Sequence, residues 1–84
     1  MDVANTPLAQ RIARALAGLD HSANAEGVEA SAATAVDETW RAYLEQADAV
    51  LRTIREPSEA MARTGDPAIW AAMVEAAIEE SEAL

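Results

Sequence analysis

The chain has 84 residues, no cysteine and no lysine, and its 15 acids outnumber six arginines for a formal net charge of -9. Disulfides, thiolate chemistry and Schiff-base lysines are therefore excluded, and the charge disfavours nucleic-acid binding or attraction to an anionic membrane, both of which need concentrated positive charge. The 51% apolar fraction is just over half alanine, 22 Ala against 21 Val, Ile, Leu, Met, Trp and Tyr. That composition predicts one small domain over residues 1–84 with a thin core, whose stability is shared with a partner subunit.

Abundant Ala, Glu, Leu and Arg favour helix, and no strand signal appears, so the expected fold is all-α: a three-helix hairpin or bundle with one additional short helix. The first helix is predicted over 7–18. Thr6-Pro7 supplies an N-cap and a proline at the first helical position, and Leu8, Ile12, Ala15, Leu16 and Leu19 form its apolar stripe. Gly18 or Asp20-His21 ends it. Residues 20–27 carry no large apolar side chain and read as a linker, which makes His21 an exposed loop histidine. Ser22 or Asn24 could cap an early start to the second helix, with Gly27 awkward inside it, so that start stays open between 22 and 31.

The middle helix is predicted over 28–55, with Val28, Ala32, Val36, Thr39, Trp40, Tyr43, Leu44, Ala47, Val50, Leu51 and Ile54 on one face. Asp37 with Arg41, Asp48 with Arg52, and Arg52 with Glu56 are spaced for ion pairs across one turn. At about 1.5 Å per residue, such a rod is roughly 36 to 40 Å long and outruns a compact monomer of this size. The reading that follows is a homodimer, antiparallel through the second or third helix.

Glu56-Pro57 stops that helix. A short helix over 58–64 follows, with Glu59 and Arg63 paired and Met61 facing inward, and Thr64-Gly65 closes it. Asp66-Pro67 repeats the cap-proline device and launches the last helix, 67–82, whose stripe is Ile69, Trp70, Met73, Val74, Ala77 and Ile78. Glu75, Glu79, Glu80 and Glu82 gather on the other side. Acids in the last turn oppose the helix dipole, so the end is expected to fray.

The catalytic inventory is poor. His21 and Ser22 are neighbours in sequence and do not easily share one nucleophile-and-base geometry. The carboxylate-bundle metal motif needs a Glu three residues before a His, which is absent, and the pairs Glu38/Glu45 and Glu75/Glu79 read as solvated. Phosphate loops, dinucleotide fingerprints and calcium loops are missing. No catalytic, cofactor-binding or metal residue is assigned, and the chain is expected not to be an enzyme. Trp40, Tyr43 and Trp70 have the spacing of core residues, with a protein interface as the alternative. The candidate interaction surface comprises Trp40, Tyr43, Trp70, Met73, Glu75, Glu79 and Glu80.

The run from Arg55-Glu56-Pro57-Ser58-Glu59-Ala60-Met61 through Gly65 to Ile69-Trp70-Ala71-Ala72-Met73-Val74-Glu75-Ala76-Ala77-Ile78 resembles the tail of a group of small helical proteins of alphaproteobacteria and their phages or prophages. That group has no assigned activity. The aromatic helix of residues 39–55 and Ile12-Ala13-Arg14-Ala15-Leu16 are similar to it as well. The resemblance covers about two thirds of the chain, rests on helix punctuation and packing residues, and implies a mobile-element setting.

The expected function is therefore that of a small acidic accessory protein acting through protein–protein interaction in the cytoplasm. Its partners would be a second copy of itself or a host or phage protein, with neither nucleic acid nor membrane bound directly. Two alternatives stand beside it: an acidic decoy that inhibits a host nucleic-acid-binding complex, and, less favoured, a carboxylate metal-dependent enzyme.

Overall fold

The computed structural model describes residues 3–24 and 29–84, and the side chains of all of these except 22–24 and 29–32. Every regular element among the described residues is helical: α1 (Leu8–Asn24), α2 (Glu29–Thr39), a 3-10 turn (Trp40–Tyr43), α3 (Leu44–Ile54), α4 (Glu59–Ala62) and α5 (Pro67–Ser81). The chain is all-α, as the sequence predicts. Gly27 and Val28 lie outside the described residues, as do the side chains of Ser22, Asn24 and Ala32.

The predicted rod over 28–55 is broken. Thr39, just before the 3-10 turn, and Tyr43, its last residue, have φ, ψ of -121°, -7° and -100°, 3°, outside the helical basin. The local sequence supplies the cause. Thr39 is β-branched and its hydroxyl donates to the Ala35 carbonyl one turn back at 2.6 Å, a bond that bends helices, and Trp40 and Tyr43 are weak helix formers. Two 11-residue helices of about 16 Å each replace the rod, and α1 packs along α2, the turn and α3 in succession.

Helix α1 is longer than predicted. Gly18 and Asp20-His21 sit inside it, and it runs on through much of the expected linker to Asn24. Its first backbone bond joins the Arg11 amide to the Pro7 carbonyl, one residue later than a Thr6 cap implies. Its buried stripe also differs by one residue, or about 100° of rotation. Ala9, Ala13 and Ala17 are fully buried, Leu8, Ile12 and Leu16 lie half-buried beside them, and Ala15 and Leu19 are exposed. Small side chains on the central line let α1 approach its neighbours closely, and the larger residues of those neighbours fill the space.

Two apolar clusters result. Ala13 and Ala17 pack with Val36, Trp40 and Ala47, while Ala9 packs with Leu51, Val74, Ala77 and Ile78. Ile12 and Leu44 touch both and join them into one core. Val50, expected on the inward face, lies at its edge and is exposed.

The C-terminal punctuation follows the sequence closely. α3 ends at Ile54, Ser58 caps α4 through the Met61 amide at 3.3 Å, and Asp66 caps α5 through the amides of Ala68 and Ile69 with Pro67 at the first helical position. The Trp70 indole N–H donates to the Ile54 carbonyl at 2.7 Å, satisfying a carbonyl that the end of α3 would leave orphaned. This bond ties α5 to the end of α3. Met61, expected inward, is 44% exposed, because the single turn of α4 contributes no buried residue.

Candidate interaction surface

Only Glu75 interrupts a run of otherwise apolar residues in α5 from Pro67 to Ile78. A helix apolar on all sides needs cover on all sides. Here Val74, Ala77 and Ile78 are buried against α1 and α3, but Ile69 is 60% and Met73 65% exposed. With Ala72 and Ala76, both exposed, they form a second apolar line facing away from the core. At its N-terminal end, Pro57, Met61, Gly65, Pro67 and Trp70 line an open groove of about 230 Å³.

The seven residues singled out from sequence fall into different environments. Trp40 is core: it is 8% exposed, packed on Ala13 and Ala17, with the Arg41 guanidinium 4.4 Å above its ring. Tyr43 is half-buried and its hydroxyl donates to Asp20 at 2.9 Å; the neighbouring carboxylate holds the phenol pKa above its ordinary value, first through this hydrogen bond. Trp70 is half-buried, with one side toward the core cluster and one toward the groove. Met73 alone of the four apolar candidates is fully surface. Glu75 is held by Arg55, whereas Glu79 and Glu80 are exposed near the end of α5. Ile69 and Met61, which the sequence predicts inward, are surface residues; for Ile69 the signal is the near-absence of polar residues over 67–78.

Other charges are locally engaged. Asp37 pairs with Arg14 across α1 and α2 and not with Arg41, which lies on Trp40 and donates to the Leu84 main-chain oxygen at 2.8 Å. Arg52 binds Asp48 at 2.8 Å, so the expected Arg52–Glu56 pair gives way to it, and Arg63 stands 3.9 Å from Glu59. Arg14, Arg41, Arg52, Arg55 and Arg63 are thus each engaged with an acid, a ring or a main-chain oxygen.

His21 is neither looped nor fully exposed. It lies half-buried on α1 with Nε2 2.9 Å from the Thr39 hydroxyl. The one hydroxyl proton of Thr39 is committed to the Ala35 carbonyl, so Nε2 carries the proton and donates to Thr39. An imidazole in that tautomer ties α1 to the start of the 3-10 turn and does not act as base toward this hydroxyl. Among the described residues, no three His, Asp or Glu side chains converge as a metal site, and no helix is long and apolar enough to cross a membrane.

Compared with protein-family models, curated proteins and solved structures, the chain gives no significant match.

Proposed function

We infer that the chain is a small interaction module that works by presenting the apolar α4–α5 face to a protein. The observation that carries this reading is the exposure of Ile69 and Met73 on a helix whose opposite side already fills the core. Exposed apolar residues grouped beside a groove mark interaction sites more often than scattered ones do, and Met and Trp suit interface centres. The mobile-element setting rests on the resemblance of residues 55–78 and gives a host or phage protein as a candidate partner, with the cytoplasm as the compartment.

Affinity capture from the native host tests the reading. Tagged wild-type chain should recover a reproducible protein, and Met73→Glu should lose it while keeping its helical spectrum. Equal recovery by both would move the interface off this face.

The acidic-decoy alternative is weakened because Glu75 is turned into an internal ion pair with Arg55. Its remaining charge is Glu79, Glu80 and Glu82. Binding by such a cluster would weaken steeply as salt rises, whereas apolar docking on Ile69 and Met73 would not.

A further inference from the structure

We propose that the occupant of the α4–α5 face is a second copy of this chain, paired antiparallel along α5 about a two-fold axis. The proposal rests on the interaction-module reading and names its partner.

The first argument is exposure. Ile69 and Met73 stand 60% and 65% exposed on a helix whose other side fills the core, and a second copy brings an identical apolar line to cover them.

The second argument is the pattern on the exposed line. Ile69, Ala72, Met73 and Ala76 alternate large, small, large, small. Placed against itself antiparallel, with the axis between positions 72 and 73, the line sets Ile69 on the partner's Ala76 and Met73 on the partner's Ala72. Large side chains then meet small ones at every step, as ridge-and-groove packing requires. A parallel mate would set Ile69 on the partner's Ile69 and leave alanines facing alanines.

Charge selects the same orientation. Glu79, Glu80 and Glu82 crowd the C-terminal end of α5, where the helix dipole disfavours them. The N-terminal end of the helix already holds Arg63 beside Glu59 and the Asp66 carboxylate on the Ala68 and Ile69 amides, so an antiparallel mate gains by separating the two acidic ends and not by a new ion pair. A parallel mate would place the two acidic ends side by side. The arrangement is isologous and closes at two copies.

The test uses the full chain. Sedimentation equilibrium at micromolar concentration should give about 17 to 18 kDa, twice the 8.9 kDa chain mass. Met73→Glu should return it to the chain mass with an unchanged helical spectrum, while the control Ala33→Glu, on exposed α2 surface, should stay dimeric. Because the native chain has no cysteine, orientation can be read by single replacements. Ala72→Cys should oxidise to a covalent dimer. Ala76→Cys should not, because its own copy would lie about seven residues, or roughly 10 Å, along the axis, beyond disulfide reach. Ready self-linking by Ala76→Cys would overturn the antiparallel pairing. A wild-type mass of one chain throughout the concentration range would overturn self-association. The interaction-module reading fails separately, when the chain is monomeric and Met73→Glu also leaves recovery of a host protein unchanged.

Discussion

Helices α1 and α5 solve the same packing problem in opposite ways. α1 buries its smallest side chains and leaves leucines and an isoleucine on its shoulders, whereas α5 buries Val74, Ala77 and Ile78 and leaves Ile69 and Met73 bare. The difference lies in what stands opposite. Ala13 and Ala17 meet Trp40, and Ala9 shares a cluster with Leu51, so large residues on the neighbours complete the alanine line. The second face of α5 has no such complement among the described residues. Burial is thus a property of a pair of surfaces, and a helix's own apolar count does not settle it.

The largest expected effect tests the completed side. Trp40→Ala removes the indole that fills the space over Ala13 and Ala17 and should destabilise by about 3 to 5 kcal/mol, enough to unfold much of so small a domain. Asp37→Ala, which loses only an exposed ion pair with Arg14, should stay within about 0.5 kcal/mol. Equal urea midpoints for these two variants would refute the assignment of the α1 side as core.

Trp70→Phe probes the junction between the two regions. It keeps an aromatic ring but leaves the Ile54 carbonyl without the indole donor, and a loss of about 0.5 to 1.5 kcal/mol is expected by denaturation. A neutral result would mean that the carbonyl is well served by water and that α5 is held by Val74, Ala77 and Ile78 alone.

Gly18→Ala should stabilise by about 0.5 to 1 kcal/mol. The position lies inside α1, and an added methyl would meet Val36 Cγ2 at 3.9 Å, an ordinary contact. A glycine marking the end of α1, one of the two ends the sequence allows, would give no such gain.

The smallest effect is spectroscopic. Tyr43 is the only tyrosine, so its phenolate absorbance should be read without overlap from another phenol. The hydrogen bond to Asp20 raises its folded-state pKa above 10.0, which means the folded state holds the phenolic proton more tightly. The linked stability is present below the unfolded pKa and is lost as pH rises through the folded value. Asp20→Ala should bring the titration back toward the ordinary range; no movement would show that the α1–Tyr43 bond is absent in solution.

Much of the fold was legible because its punctuation is local. Pro57, Ser58 and the Asp66-Pro67 pair act within a turn of themselves, and the ends they set are those found. The 3-10 turn at Trp40–Tyr43 was not legible from periodicity, since Val36 before it, Trp40 within it, and Ala47 and Leu51 after it are all buried, so the apolar phase survives the turn. The α1 stripe was misplaced because hydrophobicity ranks leucine above alanine, while close helix approach ranks them by size. For the candidate surface, Ile69 and Met73 fit the same stripe as Val74, Ala77 and Ile78, and only the tertiary arrangement decides which side of it is covered.

Urea unfolding at several protein concentrations, in parallel for wild type and Met73→Glu, tests most directly the claim that the uncovered face of α5 is completed by another copy. The wild-type midpoint should rise with concentration, and that of Met73→Glu should not, because mass action stabilises only a fold that associates. A wild-type midpoint independent of concentration, matching that of Met73→Glu, would contradict the claim.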